Sequence, residues 1–267
     1  MSSIQRVTSL DLPALQPYCT LRRPKEHLEQ GIFVAEGEKV VRRLLTSRLE
    51  VVSLLMTPDW FAELFPDSDS PPNSEVFIAE RKLLETIVGY RLHQGIMAVG
   101  RVPKHRSLED TIRSLPVNHF LVALDGLVHS ENVGVIVRNC AAFGVDAIIT
   151  GSTSCSPYLR RSVRNSMGAV FTMPVVEVNN LADALMSLQT GYNTKVIATD
   201  PHGLTDIASS DLERGICIVF GNEESGVSEE IKSLSDERVM IPMHNSIDSL
   251  NVASASAVVL YEARRHR

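Results

Sequence analysis

Three segments of this chain combine residue types that can do chemistry. The first runs Leu124-Asp-Gly-Leu-Val-His-Ser-Glu-Asn132-Val-Gly134 and continues to Arg138. It places a polar loop before an apolar helix that nevertheless carries an arginine. Six residues separate Asn132 from Arg138, about 120° around a helix of 3.6 residues per turn. An arginine among Val133, Val135, Ile136, Val137 and Ala141 is costly to bury unless it meets an anion or a partner. Asn132 has a structural alternative as a helix cap. The second segment, Phe220-Gly221-Asn222-Glu223-Glu224-Ser225-Gly226-Val-Ser228, opens from an apolar strand into a loop with two glycines. Gly221 is either a close-approach point for a ligand or part of a tight turn. In the third, Ile241-Pro-Met-His244 leads through a polar loop to Ser249-Leu250-Asn251 and a helix crowded with small residues. Such a helix permits close approach by a neighbouring element or by a partner subunit. Ser249 and Asn251 have a capping alternative, and His244 reads as a surface residue before it reads as a base.

The elements that must position these residues follow from periodicity. From residue 117 the spacing predicts strands at 119–124, 146–150, 174–178, 195–199, 216–220 and 238–241. Helices are predicted at 132–143, 158–167, 181–189, 228–234 and 250–265. Short, nearly all-apolar strands alternating with helices indicate a parallel sheet covered on both faces. In such sheets ligands bind outside the carboxyl ends of the strands, which is where the three segments fall. Upstream, strands at 32–34, 51–56, 76–79 and 95–99 alternate with helices at 36–48, 60–65 and 81–88. The domain organisation is therefore an extension (1–20), a small α/β domain (21–100), a linker (101–116) and a second α/β domain (117–267). A loop rich in proline, serine and aspartate is expected at 66–73.

Neither a G-x-G-x-x-G after the first strand of the second domain nor a Walker sequence is present, which disfavours ordinary dinucleotide and nucleoside-triphosphate sites. The chain has 267 residues, 44% of them hydrophobic and 22% charged, an ordinary globular balance. Cys19, Cys140, Cys155 and Cys217 are scattered, so no zinc cluster or disulfide framework is indicated, and they read as buried thiols in a reducing compartment. No signal pattern or spanning apolar run is evident, and a cytoplasmic location is expected. The net charge is −6, but the excess is local: residues 1–115 balance 15 basic against 15 acidic side chains. Basic clusters stand at Arg22-Arg23-x-Lys25, Arg42-Arg43, Arg101-x-x-Lys104-His105-Arg106, Arg160-Arg161-x-x-Arg164 and the C-terminus. Phosphate backbones respond to such patches, so the overall acidity does not exclude RNA.

Taken in order, N-x-G-x-x-x-R (Asn132 to Arg138), F-G-N-E-x-x-G-V-S (Phe220 to Ser228) and I-P-M-x(5)-S-L-N-V (Ile241 to Val252) resemble the three signature motifs of the SpoU (TrmH-like) RNA methyltransferases of the SPOUT superfamily. The resemblance covers about 118–263 and includes Arg164-Asn-Ser166-Met-Gly168 between the motifs. Phe33-x-x-Glu36-Gly37 and His93-Gln94-Gly95 are similar to the ribosomal-protein-like RNA-binding domain that precedes the catalytic domain in several members. The resemblance implies a trefoil-knotted parallel sheet and transfer of a methyl group from S-adenosylmethionine to a ribose 2′-hydroxyl, with no metal. It implies a donor site at Gly221, Ile241 and Leu250, a catalytic Arg138, and Asn132, Glu223, Ser249 and Asn251 orienting it and the ribose. RNA contacts are expected from Arg22, Arg23, Lys25, Arg160, Arg161 and Arg164, and a homodimer from the last helix. Ribosomal RNA is favoured as substrate over transfer RNA; a non-catalytic RNA-binding or ribosome-assembly factor is the rival. The sequence departs from the pattern at Asn245, where many relatives have glycine, and at Ser130-Glu131, where Asp-Pro is common.

Overall fold

A computed structural model describes residues 3–66, 74–88, 95–104, 106–244 and 248–267. The expected loop at 67–73, and His93, Gln94, His105 and Asn245, lie outside the described residues. The chain divides into two units: residues 1–103 with 158–172, and residues 104–157 with 173–267.

In the first unit the elements run β1 (Ser3–Val7), α1 (Gln16–Cys19), α2 (Pro24–Glu29), β2 (Ile32–Glu36), α3 (Glu38–Leu45), β3 (Val51–Met56), α4 (Pro58–Leu64), β4 (Glu75–Ala79), α5 (Arg81–Val88) and β5 (Ile96–Arg101). Its five strands lie in the order β1-β4-β3-β5-β2. β1, β3 and β4 pair in parallel, while β5 runs antiparallel to both β3 and β2. Val34, Leu55, Phe77 and Met97 pack with Leu15 and Tyr18 in one core. The first twenty residues, expected as an extension, thus supply an edge strand and part of this core. A five-residue strand with exposed Ile4 carries too little hydrophobic periodicity to announce itself.

The second unit contains α6 (Leu108–Arg113), β6 (Phe120–Asp125), α7 (Ser130–Phe143), β7 (Ala147–Gly151), β8 (Val175–Val178), α9 (Leu181–Tyr192), β9 (Lys195–Thr199), β10 (Thr205–Asp206), β11 (Ile216–Gly221), α10 (Glu229–Leu234), β12 (Glu237–Met240) and α11 (Val252–Arg265). Seven strands lie in the order β10-β12-β9-β11-β6-β7-β8, and the pairs are parallel. Leu121, Ala123, Ile149, Val196 and Val219 are wholly buried in one core cluster with Leu181 and Leu185. The expected linker is structured in part: it contains the end of β5 and helix α6, capped by Ser107, whose side chain accepts from Asp110 N.

The segment between β7 and β8 belongs to the first unit. It carries α8 (Arg160–Asn165) and sets Tyr158 and Phe171 against Phe33 of β2, with ring centroids 5.7 and 5.3 Å apart. Arg160 pairs with Glu36 there, and Arg43 donates to the Met167 carbonyl at 2.6 Å. Burial of Cys140 and Cys217 agrees with the sequence reading and pushes both thiols up, whereas Cys19 is exposed and Cys155 half-buried. Among the described residues no helix is long and apolar enough to cross a membrane.

Candidate active site

β6 ends in Asp125, and Gly126, at φ 68°, turns the chain toward α7. That helix starts at Ser130, two residues before the expected position. Its N-cap is His129, which contributes no side-chain bond. The exposed N–H groups are instead met from another loop. The Glu223 carboxylate accepts from Val128 N at 3.2 Å, His129 N at 3.1 Å and Asn132 Nδ2 at 2.9 Å. A negative charge at a helix N-terminus is favoured both by the unpaired donors and by the helix dipole. Burial by itself raises the Glu223 carboxyl, but these hydrogen bonds outweigh it and hold it below its ordinary value.

Asn132 is therefore no cap. Its amide carbonyl accepts from Asn251 Nδ2 at 3.3 Å, and Asn251 in turn caps α11 by accepting from Ala253 N at 2.9 Å. Asn251, Asn132 and Glu223 form one hydrogen-bonded chain joining the three motifs.

The loop after β11 is a tight turn closed by two 2.9 Å backbone bonds between Asn222 and Gly226. A Cβ on Gly221 would fall 2.1 Å from Gly226 C and Val227 N. Glycine at 221 is demanded by the chain's own crossing backbone, so of the two sequence readings the turn is the one with a steric basis. Gly221, Ile241 and Leu250 line one cavity of about 320 Å³, with Glu223 and Ser249 also on its wall. It opens at the carboxyl ends of β9, β11 and β12. Asp200 and Lys232 line it as well. Neither was singled out in the sequence, although Asp200 directly follows an apolar strand.

Arg138 is exposed and makes no ion pair with a described residue. The apolar neighbours did not bury it, and Asn132, Glu223, Ser249 and Asn251 make no hydrogen bond to it within this chain. His244 is exposed. Sequence reasoning also passed over three residues that hold the loops together. Asn222 Nδ2 donates to the Gly126 carbonyl at 2.7 Å, and Asp125 accepts from Ser228 N at 2.7 Å. On α7, Asn139 donates to Ala253 O at 3.1 Å and Ser256 Oγ at 2.9 Å, which the small residues of α11 permit by close approach.

In the first unit, Arg22, Arg23 and Lys25 are exposed, with Arg23 3.2 Å from Glu26. Arg160 is largely covered by its pair with Glu36. Arg164 is exposed, 3.8 Å from the same carboxylate, and Arg161 is exposed.

These strand-end loops interlock beside a cavity at the carboxyl ends of a parallel α/β sheet, and likeness to known proteins places that arrangement among RNA methyltransferases. The AdoMet-bound rRNA methyltransferase structure from Sinorhizobium meliloti shares the fold at TM-score 0.84 and 26% identity, covering 98% of both chains. The SpoU rRNA Methylase family model matches residues 119–261, and the chain belongs to that family. An uncharacterized tRNA/rRNA methyltransferase of Mycobacterium tuberculosis is 33% identical over 98% of this chain and 92% of its own. The 23S rRNA (guanosine-2′-O-)-methyltransferase RlmB of Neisseria meningitidis is 31% identical over 73% of this chain and 78% of its own.

Proposed function

We propose that this protein transfers a methyl group from S-adenosylmethionine to the 2′-hydroxyl of a ribose in ribosomal RNA. The observation that carries this reading is the hydrogen-bonded chain Asn251–Asn132–Glu223, which ties all three family motifs together and reaches the cavity wall at Glu223. The cavity fits the donor by size, since small-molecule sites run from about 300 Å³ upward. It fits by chemistry too. Phe220, Val239 and Val259 give apolar walls for a planar adenine, and Glu223, Glu224 and Asp248 give acidic groups suited to a cation, while Asp200 faces Lys232 and Arg238 at 4.0 and 3.8 Å. When bound, the donor supplies an electrophilic methyl on a sulfonium, so no metal is required.

The residues of this chain then have to align the ribose and stabilise charge developing on its oxygen. Arg138 takes that role. A guanidinium has no lone pair free to take a proton, so it acts by drawing down the hydroxyl pKa and gripping an adjacent phosphate, not by accepting a proton. Asn132 and Asn251, fixed by Glu223, hold the ribose, with Ser249 beside them. Arg138 lies free of these groups within one chain, which supports a homodimer in which α7 and α11 face a second copy. Val258 and Tyr261, 43% and 56% exposed on α11, support the same face. A trefoil knot is consistent with the return of the chain from β12 to α11 and its packing on α7. Arg22, Arg23, Lys25, Arg161 and Arg164 contribute phosphate contacts that position RNA without reading its sequence.

The reading is tested by calorimetry with S-adenosylhomocysteine and by mapping 2′-O-methyl sites in RNA from cells with and without the gene. Saturable 1:1 binding and the loss of one ribosomal 2′-O-methyl group are expected. Loss of a transfer-RNA site in its place would redirect the substrate, and absence of cofactor binding would overturn the proposal.

A further inference from the structure

We propose that a second cleft, at the carboxyl ends of β6, β7 and β8, receives the base of the nucleotide whose ribose is methylated and favours bases rich in N–H donors. This rests on the methyltransferase reading above.

The sheet order places the cleft. From β6 the chain goes to β7 and β8 on one side, and β11 lies on the other. The crevice between β6 and β11 is thus the topological switch point, where ligands of open parallel sheets bind. The donor cavity is displaced from it toward β9 and β12. What fills the switch point is a cleft of about 530 Å³.

Its lining is specific. Gly126 and Gly226 leave backbone open to the cleft, Gly151 is buried against Leu181, and Leu181 and Ile231 add apolar floor. A Cβ on Gly226 would meet nothing within 4 Å, so that backbone faces open space. A flat ring can lie on such a surface. Around it, the side chains of Thr153, Asn179, Ser225 and Ser228 make no hydrogen bond with a described residue. Ser228 sits at the N-cap of α10 without using its hydroxyl as a cap.

The charges are Asp125 and Glu230, with no lysine or arginine in the lining. A phosphate would be repelled. Among the described residues no group of three or more His, Cys, Asp or Glu could hold a metal ion. One Asp125 oxygen accepts from Ser228 N, and the other is left to a ligand donor. An ionised carboxylate only accepts, so it discriminates by the donors opposite it. Guanine offers an imino and an amino group on one edge; uracil offers a single imino group. The preference runs from guanine to uracil.

The two cavities share a wall. Asn222, Ser225 and Gly226 line both, and neighbouring strands are about 4.8 Å apart. A ribose at the mouth of the donor cavity has its base within reach of the cleft.

The full chain is titrated with guanosine, adenosine, cytidine and uridine, and separately with S-adenosylhomocysteine, while backbone amide resonances are followed. Guanosine is expected to shift Gly126, Gly151 and Thr153 most and uridine least; S-adenosylhomocysteine is expected to shift Gly221, Ile241 and Leu250. Thr153→Trp and Asn179→Trp, both at exposed positions, fill the cleft. They should raise KM at least tenfold for ribosomal RNA from cells lacking the gene, with kcat and S-adenosylhomocysteine affinity within twofold. Guanosine leaving the cleft amides unmoved, or KM unchanged within twofold in both variants, overturns the proposal. Guanosine binding in the cleft without any S-adenosylhomocysteine binding would support a base site and break the methyltransferase reading instead.

Discussion

Both units draw arginines into ion pairs, and Arg138 of the second unit stands apart from that pattern. In the first, arginines are drawn into pairs: Arg160 with Glu36, Arg42 with Glu38 and Glu63, and Arg42 also over the Trp60 ring at 5.6 Å. In the second, Arg238 lies 3.8 Å from Asp200 and Arg265 3.0 Å from Glu262, whereas Arg138 stands exposed without an ion pair to a described residue, and the Glu223 carboxylate is held by amides of another loop. A paired arginine organises its own unit. An exposed arginine without an ion pair is available to a ligand, and the contrast marks Arg138 as the guanidinium to test.

Arg138→Ala is the largest test of that contrast. Loss of one such stabilising group costs about 10²–10³-fold in turnover. Methyl incorporation should fall by at least that much, with S-adenosylhomocysteine affinity within twofold; retained turnover would place Arg138 among the structural arginines. Gly221→Ala comes next, because its Cβ would overlap backbone. Overpacking of this kind costs about 1–3 kcal/mol, occasionally more, and calorimetry should show cofactor affinity weakened at least tenfold. Arg160→Ala should do the converse. It leaves the mostly buried Glu36 short of a partner and should lower stability by about 1–3 kcal/mol in urea unfolding, with cofactor affinity unchanged. The smallest effect is that of Glu223→Gln. Because the Glu223 carboxyl is held below its ordinary value, its contribution is complete above that value and fades as pH falls through the lowered one. The stability gap between wild type and variant should be largest near neutral pH and narrow on acidification below the ordinary carboxylate range, measured by urea unfolding at each pH.

The sequence made the frame of the second unit legible. Apolar strands such as 119–124 and 195–199 were found within a residue or two, because burial on both faces leaves a continuous hydrophobic run. The motif loops were also placed correctly at strand ends. What periodicity could not show was which distant group each polar residue meets. Asn132 looked like a cap, but the helix starts earlier and its cap comes from Glu223, 91 residues away. Gly221 admitted both a ligand approach and a tight turn, and the sequence could not show that the chain's own backbone at Gly226 and Val227 crosses it. The sequence left open whether Arg138 is buried with a partner or faces out, and its exposure settles that it points outward on the helix. β1 and β10 were missed because five and two residues hold too little pattern.

Tyr158–Thr172 leaves the second unit after β7, packs against β2, and returns to form β8. The polypeptide therefore passes between the units three times, near 103, 157 and 172. Cutting the gene at the single joint near 103 would not yield two self-sufficient pieces. The downstream fragment would keep Tyr158 and Phe171 without Phe33, baring two aromatic rings to water, and the upstream fragment would lose the helix that answers Glu36. Any graft of this first unit onto another enzyme has to carry an internal insert along with the N-terminal stretch, and inheritance of the two parts is correspondingly linked.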